Sequence, residues 1–109
     1  MKILCIDVDD TICFTENRDY TKSTPNQPVI DKIKEAYDAG YEIILHTARG
    51  QGRSNNRIEA VASEVFQEIE DMCIRLNVPY DNIVLGKPLA IRYIDDKAMR
   101  PDEFLAMEL

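Results

Sequence analysis

A three-layer α/β fold built on a parallel sheet is what the sequence predicts, and three observations predict it. Short apolar runs rich in β-branched residues recur at Ile3–Ile6, Ile43–Leu45 and Ile83–Leu85, and a fourth short run, Ile91-Arg92-Tyr93-Ile94, keeps isoleucine at both ends. Two stretches with helical spacing of apolar residues separate the first three runs, the alternation expected of parallel strands joined by helical crossovers. Each run then stops in polar or charged residues: Asp7-Val8-Asp9-Asp10-Thr11, His46-Thr47-Ala48-Arg49, Gly86-Lys87-Pro88 and Asp95-Asp96-Lys97.

The first run is too short for a helix and continuous instead of alternating, which predicts a strand buried on both faces. Three carboxylates at its carboxyl end repel one another, and a cation or a shared proton relieves such crowding. Oxygen ligands of this kind suit magnesium, which takes one or two carboxylates and fills its other positions with water and phosphate oxygens. The same acids would otherwise be an ordinary polar strand end or helix cap. Residues 12–27 are polar, with Pro25 and Asn26 among them, and predict a short flap or loop and no folded cap domain.

Pro28 opens a helix carrying Val29, Ile30, Ile33, Ala36 and Tyr37 on one face, and Gly40 stops it. Tyr41 to His46 is the second strand. Past the loop Gly50 to Asn56, apolar residues from Ile58 to Leu76 keep helical spacing, and Asn77 and Pro79 end that helix. The third and fourth strands follow at Ile83–Leu85 and Ile91–Ile94, then a short helix over Pro101–Met107. With right-handed crossovers and a return of the fourth strand to the first, the order is about 3-2-1-4. Asp7 and Asp9 then meet Asp95 and Asp96 at the switch point, with Thr47 and Lys87 on the same rim, where open α/β sheets bind ligands.

A chain of 109 residues fits one domain, 1–109. A net charge of -7 argues against nucleic-acid or anionic-membrane binding, which calls for a basic surface. No apolar run approaches membrane-spanning length and the acids begin at residue 7, leaving no room for a signal-peptide core, so a cytoplasmic protein without a membrane partner is expected. Cys5, Cys13 and Cys73 have no metal-ligand spacing and an odd count, which fits a reducing compartment.

In order, Asp7-Val8-Asp9-Asp10-Thr11, Thr47, Lys87 and Asp95-Asp96 make the chain resemble the haloacid-dehalogenase-like (HAD) phosphohydrolase superfamily. Asp10 stands where Gly is often found, a substitution that a tight turn tolerates. The segments Thr15–Tyr20, Pro25-Asn26-Gln27, Thr47-Ala48-Arg49, Gly86-Lys87-Pro88 and Asp95–Pro101 are more narrowly similar to a small group of capsular polysaccharide biosynthesis phosphatases. The resemblance implies a Rossmann-like HAD fold and a magnesium-dependent phosphatase working through an aspartyl phosphate. It implies Asp7 as nucleophile, Asp9 as the proton-transfer group, Thr47 and Lys87 on the phosphoryl oxygens, and the Asp7 carboxylate, the Asp9 carbonyl and the pair Asp95 and Asp96 around the metal, Asp96 being the direct ligand of the last pair. Crowding by other anions would suit Asp9 to proton transfer.

The expected substrate is a small-molecule or polymer-end phosphomonoester, in capsule or surface polysaccharide synthesis. Arg49, Arg53 and Arg57 form a basic loop with no acid, and with Thr11 they are candidates for substrate binding, an Arg fork suiting phosphate oxygens. The ordinary reading of these arginines is pairing with glutamates of the next helix. The basic loop also motivates the runner-up, a nucleotide or polynucleotide-end phosphatase. A non-catalytic phosphosugar-binding module is the alternative of another class. A receiver-type signalling domain also gathers acids, Thr and Lys on strand ends, but would need an acceptor Asp after the third strand, where Gly86-Lys87 stands.

Overall fold

The computed structural model describes residues 2–109. Its centre is a parallel three-stranded sheet of β1 (Ile3–Asp7), β4 (Glu42–His46) and β5 (Asn82–Val84), in the order β1-β4-β5. The register pairs Ile3 with Glu42 through Asp7 with His46, and Ile44 with Asn82 through His46 with Val84. Both carboxyl ends that carry Asp7 and Thr47 therefore lie on one edge of the sheet. Helix α1 (Gln27–Asp38) joins β1 to β4 and helix α2 (Ala62–Leu76) joins β4 to β5.

Residues 12–27 form a small flap: strands β2 (Cys13–Phe14) and β3 (Thr24–Pro25) pair antiparallel around a 3-10 turn at Tyr20–Lys22. Arg75 of α2 pins it from below, donating to the Ser23 carbonyl at 2.8 Å and the Tyr20 carbonyl at 3.3 Å. A second 3-10 turn, Ile58–Ala60, replaces the first turn of the helix expected from Ile58. Val61, at φ -131°, breaks the pattern before α2 begins. At the other end Asn77 adopts the left-handed conformation and its N–H caps the Cys73 and Ile74 carbonyls, the stop expected there. The last helix, α3 (Pro101–Leu105), lies against α1, where Phe104 is buried and Lys32 Nζ donates to the Met107 carbonyl.

Two expectations fail. The sheet is covered on one face only. Leu4, Ile6, Ile43, Leu45 and Ile83 point into a core with Val29, Ile30, Ile33, Val65 and Ile69, whereas Ile3 and Val84 are about 40% exposed and Cys5 is exposed on the other side. Topology explains this: two right-handed crossovers that step in the same direction, β1 to β4 to β5, put both helices on the same face. Only a strand on the far side of β1 would reverse the winding and give a third layer.

That strand is the second failed expectation. Ile91–Ile94 makes no sheet pairing, and Ile91 and Ile94 are 91% and 99% exposed. The cause lies just upstream. Lys87 donates its N–H to the Thr47 carbonyl, and its ammonium sits 4.2 Å from the centre of the Tyr93 ring, whose hydroxyl donates to the Pro88 carbonyl. These contacts fold the segment over the site instead of carrying it across to the edge of β1. No helix among the described residues is long and apolar enough to cross a membrane.

Candidate active site

The apolar run of β1 forces its acids out at the strand end, and a tight turn then gathers them. The Val8 carbonyl accepts from the amides of Thr11 and Ile12, and the Asp10 amide donates to the Cys13 carbonyl. Asp10 has φ +63°, so it occupies the position where glycine would be free of strain, as its place in the sequence suggested. The turn aims Asp7 and Asp9 into a cleft of about 830 Å³ shared with Arg18, Tyr20, Arg53 and Lys87.

Asp7 is held from two sides. Thr11 Oγ1 donates to Asp7 Oδ2 at 3.1 Å and Lys87 Nζ approaches Oδ1 at 3.4 Å. Thr11, proposed for substrate, is thus a support of Asp7. Asp9 is held by Arg49 through two hydrogen bonds, Nε to Oδ2 at 3.2 Å and Nη2 to Oδ1 at 2.7 Å. The sequence pictured Asp9 crowded by anions, but here a cation of the chain itself neutralises it. The Arg49 side chain is 1% exposed, stacks 3.9 Å from the centre of the Tyr20 ring, and lies 3.6 Å from Glu68. Burial opposes its charge, yet the hydrogen bonds and charge of Asp9 outweigh burial and raise its pKa.

Thr47 is fully buried, and its hydroxyl accepts from the Arg49 N–H at 3.0 Å, shaping the turn after β4. The turn needs Gly50, at φ +92°, where a Cβ would lie 2.7 Å from Val65 Cγ2. Arg53 lines the cleft but is paired, with Glu64 at 3.1 Å and Glu68 at 2.9 Å. Arg57 is exposed and outside the cleft, so only part of the basic loop faces it. Asp95 and Asp96 are also exposed and outside it. They follow the segment that forms no strand, which is why they do not join Asp7 and Asp9.

Three contributors were not singled out from sequence: Tyr20, which the flap lays over Arg49, Glu68, which sits behind Arg49 and Arg53, and Tyr93 over Lys87. Only Tyr20 left a signal, as an aromatic within the polar part of the flap, Thr15–Gln27. His46, beside Asp7 in the register, has its pKa lowered from 6.5, first by burial and then by the Lys87 charge, with Asp7 opposing. Between the lowered value and 6.5 the unfolded chain binds more protons than the native one, so stability is full above 6.5 and falls as pH drops through the native pKa. The urea midpoint should therefore decline from pH 7.5 to 5.5, and His46→Gln should flatten that decline. An unchanged slope in the variant would assign the loss to other groups.

Over the whole chain the fold superposes on a crystal structure of a protein from Vibrio cholerae, with a TM-score of 0.93, 34% sequence identity, and coverage of 100% of this chain and 91% of that one. The two chains belong to one family. No protein-family model and no curated protein matches the sequence.

Proposed function

We propose that the chain is a HAD-like phosphomonoester hydrolase in which Asp7 is the nucleophile. The observation that carries this reading is the Asp7 carboxylate at the strand end, aligned by Thr11 and approached by Lys87 at the mouth of the cleft. A carboxylate oxygen of Asp7 attacks phosphorus and the bond to the leaving oxygen breaks, while Asp9, which takes up a proton from solvent once Arg49 frees one of its oxygens, passes that proton to the leaving oxygen. Asp9 then takes a proton from water, which attacks the aspartyl phosphate and releases phosphate with Asp7 restored. Lys87 offers a positive charge to both the nucleophile and the phosphoryl oxygens. Arg49 orients Asp9 and must free one of its oxygens for the proton transfer.

The resemblance implies magnesium, which would neutralise the approaching anions. Within one protomer the donor set is incomplete: Asp7 and Asp9 line the cleft, the Asp9 carboxylate being held by Arg49 so that only its carbonyl is left to bind, while Asp95 and Asp96 are exposed outside it. No group of three or more metal-binding side chains occurs among the described residues, and no step above passes through a metal.

Turnover of p-nitrophenyl phosphate tests the reading, and a folded, pure protein without it would favour the phosphosugar-binding module. A panel of phosphorylated sugars, nucleotides and oligonucleotide ends then separates a capsule-type substrate from the nucleotide alternative. We place the reaction in the cytoplasm, on the usage of cysteine. Arg53→Ala should raise KM for a bulky anionic substrate and leave p-nitrophenyl phosphate turnover almost unchanged, the pattern of lost uniform binding. Its exposed ion pairs should cost under about 1 kcal/mol of stability. Equal losses on both substrates would make Arg53 part of the chemical step.

A further inference from the structure

Parallel sheets are normally covered on both faces, and an apolar extended segment in water is normally paired. This protomer breaks both rules, and the two exceptions complement each other. One is the open side of the sheet, where β1 is an edge strand whose outer backbone groups lack ladder partners and where Ile3, Cys5 and Val84 are exposed. The other is the arm Leu89–Met99, which carries Arg92, Asp95, Asp96 and Lys97 but whose apolar Leu89, Ile91, Ile94 and Met99 are 60%, 91%, 99% and 49% exposed. The arm is anchored at its two ends, by Lys87 on Thr47 and by Phe104 against α1, while its middle pairs with no strand.

We propose that the arm of one copy pairs with the free edge of β1 in a second copy, parallel to it, in a reciprocal two-fold dimer. The lengths match: four residues, Ile3–Ile6, precede Asp7, and four residues, Ile91–Ile94, precede Asp95. Parallel pairing at equal register sets Tyr93 opposite Cys5 and Asp95 opposite Asp7. Each copy carries both the arm and the edge, so one two-fold contact satisfies both. Each copy would contribute the exposed apolar residues of both its arm and its sheet, and the two-fold contact would bury all of them twice, as the more apolar interfaces of homodimers do. The pairing within one copy is opposed by the contacts of Lys87 and Tyr93 that turn the arm away from its own β1.

The pairing has a consequence that rests on the phosphatase reading. It delivers Asp95 and Asp96 of each copy to the Asp7 of the other, which supplies the carboxylates that a magnesium site lacks in one protomer. The site is then complete only in the dimer.

Sedimentation and a cysteine trap test the contact without any activity. The wild-type chain should run at twice 12.5 kDa, about 25 kDa, and the exposed-site double variant Ile91→Asp/Ile94→Asp should run as a folded monomer by circular dichroism. Oxidised Ile3→Cys/Ile91→Cys in a Cys5→Ser background, which keeps Tyr93 in place, should give a covalent dimer that Ile91→Cys alone does not, since Cys13 and Cys73 are buried. A monomeric wild type, a dimer that survives the double variant, or a disulfide closed within one chain would each overturn the proposal. Magnesium should raise the melting temperature of wild type and not of Asp95→Asn/Asp96→Asn.

Co-expression of Asp7→Asn with Asp95→Asn/Asp96→Asn, each inactive alone, should restore about a quarter of wild-type turnover, because half of random dimers hold one intact site. No restoration beside an active wild type would show that the acids act within one chain. An inactive wild type would fail the phosphatase reading alone, leaving mass and crosslink to decide the dimer.

Discussion

Asp7→Asn should abolish hydrolysis of p-nitrophenyl phosphate, by roughly 10⁴-fold or more, the scale on which a deleted nucleophile is felt, while the protein stays folded. The amide keeps the size of the carboxylate and can still accept from Thr11 and face Lys87, so the turn at Val8 keeps its supports. It cannot form an acyl phosphate. Asp9→Asn should cost less, about 10²- to 10⁴-fold, the usual range of general acid–base catalysis. Rapid acid quench of the wild type with substrate should trap a phosphoryl group on the peptide that contains Asp7. Turnover near the wild-type rate in a folded Asp7→Asn protein would overturn the mechanism, and a phosphopeptide elsewhere would move the nucleophile.

Arg49→Met should be the most destabilising change near the site. The guanidinium is buried beneath Tyr20 and makes two hydrogen bonds to Asp9, with Glu68 close behind. Methionine fills much of the volume but leaves Asp9 and Glu68 without their shared cation. Removing one partner of a buried pair costs about 3–5 kcal/mol. Because Asp9 and Glu68 are 32% and 22% exposed, water recovers part of this, and we expect about 2–3 kcal/mol from urea unfolding after that discount. Adding Asp9→Asn to Arg49→Met should return part of the loss, a coupling that a double-mutant cycle reads directly. A loss under about 0.5 kcal/mol for Arg49→Met would mean that the fork orients Asp9 without holding the fold.

The first three strands, their parallel sense and the two crossover helices were legible in the sequence, because each rests on local periodicity and local stop signals. Pro28 and Gly40 bound α1, and Asn77 ends α2 with the left-handed turn its side chain tolerates. The same holds for the places of Asp7 and Lys87, which follow from strand ends alone, whereas Thr11, expected at the substrate, turns back onto Asp7. Which charge neutralises which did not follow. Arg49 reaches Asp9 across forty residues, and Arg53 turns to Glu64 and Glu68. Spacing carries no information about such pairs, since loop geometry and competition among nearby acids select them.

Ile91–Ile94 has the composition of a strand but no strand's place in the protomer. A run of apolar residues records that a segment is to be covered, and only the tertiary structure decides by what. Local chemistry by itself determined an α/β chain with polar and charged groups at the carboxyl ends of its strands. The path of residues 87–100 decided that the sheet has one covered face and that Asp95 and Asp96 stand apart from Asp7, because pairing across a sheet depends on where the chain is anchored and not on the residues that would pair.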